Sequence, residues 1–254
     1  MIRFWTIIFL LLAASGKAQV YDESQVFAHN DYVRADPFYT AYNLRVGYIE
    51  ADVFLDEGEI SVAHDKHEIA DGKTLEALYL KPLLKQIRKN EGRIYESPDQ
   101  TLMLMIDLKT EGVVTLNAIV SQLKKYPELL GCSTLHFMIS GNVPDPKIWE
   151  NYPAYIKFDG RPGIPYTEAQ LERIAMISTS FGAHAKWNGM GKIPEGERRK
   201  ILALIDEVHS KGKKIRFWAT PDFENAWREL MLLKPDVIVT DDVTALVAFL
   251  NLKK

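Results

Sequence analysis

A single (β/α)8 barrel of the TIM type is the fold class that the sequence predicts, on three observations. Short runs of apolar, β-branched and aromatic residues alternate with helical patterns, and counting along the chain gives eight strands, each followed by a helix. Leu102 to Lys109 is a near-continuous apolar run ending in charge, as expected of a parallel strand covered on both faces. A length of 254 residues with 47% hydrophobic content supports one large core; it would also suit two small domains, and the unbroken strand–helix alternation favours the barrel.

The first stretch is a targeting pattern rather than a structural element. Arg3 supplies a positive start, Phe4 to Ala14 an apolar segment, and Gly16-Lys17-Ala18 a small-x-small cleavage site. This predicts a signal peptide over residues 1–18 and an exported (periplasmic or secreted) mature domain over 19–254, with a retained anchor as the alternative. No later stretch approaches 18 uninterrupted apolar residues.

Val26 to Ala28 is the first short strand. Asp36-Pro37 offers an N-cap with proline at the first helical position, predicting a helix over Phe38 to Val46 that closes at Gly47. Tyr48 to Leu55 is an alternating strand, and the turn Asp56-Glu57-Gly58 returns Ile60 to Ala63 as a hairpin extension. A helix opened by Thr74 runs to Lys89. Beyond the strand at 102–109 come a helix over Val113 to Tyr126, a strand over Thr134 to Ile139 and another over Ile156 to Asp159. A helix over Thr167 to Ile177 then leads to a weaker strand, Ser178 to Phe181. The amphipathic helix Glu195 to Ser210 stops at Lys211-Gly212. The strand Ile215 to Ala219, the helix Phe223 to Leu233 and the strand Val237 to Thr240 complete the count.

Charge and cysteine usage narrow the function classes. A formal charge of -3, without basic residues clustered on one face, argues against a nucleic-acid partner. Cys132 is the sole cysteine, which excludes an internal disulfide and a cysteine metal cluster. The chemistry concentrates between Val26 and Asp65. Glu50 and Asp52 share one face of a strand, about 7 Å apart, and two buried acids so placed demand a cation or a basic partner. His29 and His64 each end a short apolar run, so both imidazoles are expected to project from strand ends.

The segments AHND, IEADV and VAHD resemble the His-x-x, Glu-x-Asp and His-Asp motifs of the glycerophosphodiester phosphodiesterase family, a branch of the phospholipase C-like phosphodiesterases on a TIM barrel. The resemblance extends over nearly all of the mature chain, since IRFWATPD and PDVIVTDDV are similar to the family's seventh and eighth strand ends. It implies catalytic roles for His29 and His64 and metal-ligand roles for Glu50 and Asp52. Asp107 aligns with the Glu of the family's Glu-x-Lys motif, as an Asp-x-Lys form that keeps an oxygen ligand and the cation of Lys109; sphingomyelinases of the spider-venom type likewise have Asp as third ligand. Trp218 is implied as a wall of the site, with a core aromatic as the alternative. One position departs from the pattern: Asn30 and Asp31 follow His29, where the family usually has an arginine that donates to phosphate.

Three carboxylates with no thiolate suit one hard divalent cation, Ca²⁺ or Mg²⁺. With two histidines as general acid and base, the set predicts a metal-dependent phosphodiesterase acting on a glycerophosphodiester or phospholipid head group. Asn30, Lys109, Lys157 and Trp218 are the expected substrate contacts. Lys157 enters because alternation puts it on one face with Asp159, an arrangement that allows either to point into the mouth and equally allows a plain salt bridge between them. The expected partners are a small-molecule or lipid phosphodiester and, transiently, a membrane surface. A phosphatidylinositol-type or sphingomyelinase-type lyase releasing a cyclic phosphate is one alternative, and a non-catalytic or carbohydrate-acting barrel is another.

Overall fold

The computed structural model describes residues 20–252, so the signal-peptide expectation for residues 1–18 lies outside the described residues. Nine strands form one sheet: β1 (Val26–Ala28), β2 (Tyr48–Asp56), β3 (Glu59–Val62), β4 (Leu102–Leu108), β5 (Leu135–Gly141), β6 (Ile156–Gly160), β7 (Ile174–Ser180), β8 (Lys214–Trp218) and β9 (Ile238–Thr240). Neighbours run β8-β7-β6-β5-β4-β2-β1-β9, every pair in this path parallel, while β3 returns antiparallel on β2. An isolated parallel bridge, Arg216 to Val237, joins β8 to β9. Eight parallel strands therefore make a nearly closed barrel.

Helices α1 (Tyr39–Asn43), α2 (Lys81–Lys89), α3 (Gly112–Leu123), α4 (Pro127–Gly131), α5 (Glu168–Arg173), α6 (Glu195–Ser210), α7 (Glu224–Met231) and α8 (Val243–Asn251) lie between strands or after the last one. Because both faces of each strand are covered, two cores result. Phe27, Met105, Met138, Met176 and Val239 fill the barrel interior. A larger cluster, including Ile49, Leu104, Phe137, Phe158 and Leu246, packs between strands and helices. No helix of the described residues is long and apolar enough to cross a membrane.

Three local expectations are corrected. The helix after β1 is shorter than Phe38 to Val46, and Phe38, not Asp36, takes the N-cap position with φ 65°. The cause is Asp31, whose buried carboxylate accepts the Phe38 amide at 2.6 Å and holds that backbone in the left-handed region. The Thr74 to Lys89 helix does open on Thr74, whose Oγ1 accepts from Ala77 N at 3.1 Å. However, Glu76–Leu80 forms a π-helical turn before α2. Pro82 lacks the N–H that would continue a 3.6-residue ladder, so the wider register stands just ahead of it. Finally, α5 ends at Arg173 and β7 begins at Ile174, where the sequence suggests helix as far as Ile177. A capping box between Thr167 and Gln170 fixes the short helix, and its C-terminus leads directly into the buried strand.

Candidate active site

The site is built from the C-terminal ends of β1, β2, β3 and β4 and from the segment after β9. In β2, alternation turns Glu50 and Asp52 to the barrel interior, where they are 5% and 1% exposed. Asp52 is the register partner of Asp107 on β4, which brings two carboxylates to neighbouring strands at one height. Lys109 answers that crowding: its Nζ lies 2.9 Å from Asp52 Oδ2 and 2.7 Å from Asp107 Oδ2. Burial disfavours the Lys109 charge, but Asp107 and Asp52 together outweigh it and hold the ammonium above the ordinary lysine range.

The histidines approach from opposite directions. His29 follows β1, its Nε2 is 3.6 Å from Glu50 Oε2, and its Nδ1 is 2.7 Å from Asp241 Oδ1. His64 follows β3, its Nδ1 3.5 Å from Asp52 Oδ2 and 3.2 Å from the Tyr32 hydroxyl. Tyr32 donates to Asp52 Oδ2 at 2.7 Å, and Asn30 Oδ1 is 2.9 Å from the same hydroxyl. The Tyr32 phenol is pushed up, by burial first and then by the surrounding carboxylates, and stays a neutral donor.

Glu50 is held up to about 7, chiefly by burial, with Arg216 and His29 pulling the other way. Burial likewise raises Asp52 against the lowering pull of Lys109 and Tyr32. Beneath them Arg216 is buried on β8, with Nε on Ser178 Oγ at 3.0 Å, NH2 3.7 Å from Asp159 Oδ2 and the guanidinium 4.3 Å above the Phe27 ring.

The structure brings His29, His64, Glu50, Asp52, Asp107, Lys109 and Asn30 into one cluster. Trp218 ends β8 on the face it shares with Arg216 and is 40% exposed, so it stands at the mouth and is not a core aromatic. Lys157 is elsewhere. It sits near the start of β6, at the other end of the barrel, where its Nζ bonds Glu172 O at 3.1 Å. It does not pair with Asp159, whose Oδ2 takes Arg161 NH1 at 2.7 Å and Ser140 Oγ at 2.9 Å. Asp31 also points away from the site, accepting from Phe38 N and, at 3.1 Å, from the Tyr79 hydroxyl.

Three participants escape a sequence reading: Tyr32, Asp241 and Arg216. Tyr32 is carried by the turn after His29, in which Asn30 takes φ 48°. Asp241 belongs to the Thr-Asp-Asp segment, its backbone N–H tied to Asp222 Oδ2 at 2.7 Å. Arg216 is a charge within an apolar strand, and that interruption is its available signal.

Unmet acceptor capacity at Glu50 and Asp52 is the feature that suits a divalent cation. Glu50 Oε2 and Asp52 Oδ1 are buried and have no hydrogen-bond partner, which an oxygen-seeking cation would satisfy. The Glu50, Asp52 and Asp107 oxygens are not all within 4.8 Å of one another, and Lys109 bridges two of the three residues. Among the described residues, the group of three that does meet that spacing is Asp65, His67 and Glu68, all exposed. There, Asp65 and Glu68 cap one 3-10 turn, which accounts for their closeness.

A nearly closed parallel barrel with this polar cluster at the strand C-terminal ends is a TIM barrel, the fold that its structural neighbours share. A glycerophosphodiester phosphodiesterase from Parabacteroides distasonis superposes with a TM-score of 0.58 at 14% identity, covering 91% of this chain and 98% of that one. A putative glycerophosphoryl diester phosphodiesterase from Agrobacterium tumefaciens gives 0.52 at 13% identity with the same coverage. At that identity the likeness is one of fold. The particular family model that the sequence matches is the AIM6-like phosphodiesterase domain, over residues 18–130. That stretch contains both histidines, the three carboxylates and Lys109.

Altered inheritance of mitochondria protein 6 of Lachancea thermotolerans is 30% identical over 86% of this chain and 64% of its own length. Its counterpart in Eremothecium gossypii is 24% identical over 89% and 69%. A homolog in Arthroderma benhamiae is 35% identical over 34% of this chain and 33% of its own. The matches thus span about one third to two thirds of the length of these relatives.

Proposed function

We propose that this chain is a divalent-cation-dependent phosphodiesterase that cleaves a P–O bond of a glycerophosphodiester or phospholipid head group, with His29 and His64 as general base and acid. The observation that carries this reading is the convergence of two imidazoles from different strands on one buried acid pair, 3.6 Å from Glu50 and 3.5 Å from Asp52. Glu50, Asp52 and Asp107 are the residues that would hold Ca²⁺ or Mg²⁺, which supplies charge neutralisation at the non-bridging phosphate oxygens when bound.

The side chains divide the proton work. Asp241 accepts the Nδ1 proton of His29, which leaves the Nε2 lone pair facing the site and stabilises the imidazolium formed when Nε2 takes the proton of the attacking hydroxyl. His64 is anchored through Nδ1 by Asp52 and Tyr32, leaving its Nε2–H to protonate the departing alkoxide. One P–O bond forms as another breaks, with one proton taken and one given. Attack by water gives hydrolysis; attack by a neighbouring hydroxyl of the substrate gives a cyclic phosphate. Trp218 offers an apolar wall at the mouth, and Asn30 stands where an arginine would bind phosphate more strongly. The setting that suits this chemistry is outside the cytoplasm, after removal of residues 1–18, with transient contact to a membrane surface.

The test is turnover of bis(p-nitrophenyl) phosphate and of a glycerophosphodiester panel followed by phosphorus NMR, with and without EDTA. Hydrolysis that chelation abolishes and Mg²⁺ or Ca²⁺ restores is expected. Full turnover in excess EDTA with no bound metal would overturn the metal, and inertness toward the whole panel would overturn the activity.

A further inference from the structure

The end of the barrel opposite His29 and His64 holds a cavity of about 500 Å³, chemically different from the active-site cluster. His136 on β5, Lys157 on β6 and Lys214 on β8 stand at the starts of their strands and line it, together with Tyr48 and Tyr155. None of its lining residues is an aspartate or glutamate. The direct hydrogen-bond partners of the two ammonium groups are neutral: Lys214 Nζ donates to Tyr48 OH at 3.0 Å, and Lys157 Nζ to the backbone oxygen of Glu172 at 3.1 Å, while the Asp236 carboxylate acts on Lys214 from outside the cavity lining. Both positive charges are felt at His136, whose imidazole is held below its ordinary range by burial first, then by Lys214 and Lys157. The Tyr155 hydroxyl is buried and has no hydrogen-bond partner. Apart from Thr101 and Ser133 the remaining wall is apolar, with Met103, Met176, Leu129 and Leu130 among its residues, so the cavity runs from a cationic rim to the underside of the barrel's inner core.

The geometry points to a binding site for an amphiphilic organic anion at this N-terminal mouth, its phosphate or carboxylate head between Lys157, Lys214 and His136 and its apolar body against Met103, Met176 and Leu129. Two ammonium groups, with no carboxylate among the lining residues and one carboxylate, Asp236, outside the lining, leave net positive potential in the cavity that an anion neutralises. A bare inorganic anion would leave the apolar wall wet, whereas an alkyl chain buried against it is taken out of water. The volume falls within the roughly 300 to 1,000 Å³ of small-molecule pockets. The site is independent of the proposed chemistry, being at the opposite end of the strands.

Isothermal titration of the full chain with octyl phosphate, octanoate, inorganic phosphate and octyltrimethylammonium tests this. Saturable binding of octyl phosphate or octanoate is expected, with the preferred head identifying which acid the rim takes. Inorganic phosphate should bind at least tenfold more weakly, and the cationic amphiphile should not bind. Lys157→Met and Lys214→Met, checked for native circular dichroism, should each weaken octyl phosphate at least tenfold. Lys109→Met and His29→Ala at the other mouth should leave that affinity unchanged, as should EDTA. The assignment is overturned if neither anion binds, if phosphate binds as tightly as its octyl ester, or if Lys109→Met abolishes binding while both rim variants retain it.

Discussion

His29 and His64 are supported unequally, and the difference sets what substitution should do to each. His29 leans on a carboxylate at 2.7 Å and His64 on a phenol at 3.2 Å. Replacing either by alanine should lower turnover of a phosphodiester by roughly 10² to 10⁴, the range for losing a general acid or base. The double variant should fall well short of the product of the two losses, because both act in one step. His67→Ala, in an exposed turn three residues on, is the matched control and should turn over normally. Asp241→Asn keeps the imidazole and an acceptor for its Nδ1–H but loses the charge that supports the imidazolium, so its loss should be smaller than that of His29→Ala. A wild-type rate in Asp241→Asn would show that the pairing is incidental.

Glu50 gives a pH prediction whose sign can be worked out. A carboxyl held at about 7 in the folded chain, against an ordinary 4.5, binds its proton more tightly folded than unfolded. Stability is therefore highest at and below the ordinary value and falls as pH rises toward 7, by an upper figure on the order of 3 kcal/mol. In EDTA, the melting temperature of the unsubstituted chain should drop between pH 5 and pH 8 more steeply than that of Glu50→Gln. Parallel curves would mean that Arg216 and His29 already compensate the buried charge.

At the scale of elements, Gly141 ends β5 with φ +72°, and a Cβ there would meet Leu108 O at 2.5 Å and Asp107 Oδ2 at 2.9 Å. Gly141→Ala should cost roughly 1–3 kcal/mol from overpacking and left-handed strain. It should also disturb turnover by displacing Asp107 from Lys109, read as a lowered melting temperature together with weaker metal activation. Strand faces were legible because alternation is a local property: it put Glu50 with Asp52 on one face, and His64 at the end of a returning hairpin. Alternation says nothing of height, however. Lys157 shares the inward face with Asp159 but lies a layer lower at the other end of the barrel, a fact fixed by inter-strand register and stagger. The start of β7 was hidden because Ile174-Ala175-Met176-Ile177 continues an apolar helical pattern as well as it begins a strand. Tyr32 and Asp241 could not be assigned from spacing, since the contact of Asp241 with His29 joins residues 212 apart.

For the whole molecule, the point of closure is the informative place. Between β8 and β9 the barrel has one bridge, Arg216 to Val237, supplemented by Asp236 N–H to Ile215 O at 3.2 Å and by Ile215 N–H to the Asp236 carboxylate at 2.8 Å. A side chain thus replaces a missing strand acceptor. Asp236→Ala should destabilise by roughly 1–3 kcal/mol, the cost of orphaning a buried donor. It should also raise hydrogen exchange at Ile215 before that of β4 and β5; unchanged exchange there would place the closure elsewhere.

His29 N–H is bonded to Thr240 O at 3.0 Å, and β1 finds its second neighbour only in β9. The residues that carry the family signature are thus made early in synthesis, yet the first histidine cannot be set in place until the last strand has left the ribosome. A nascent or truncated chain ending before residue 238 would hold nearly every polar group of the site and still lack the β9 backbone and the Asp241 carboxylate that fix His29. For this barrel, assembly of the site waits on the synthesis of β9 and the residue that follows it.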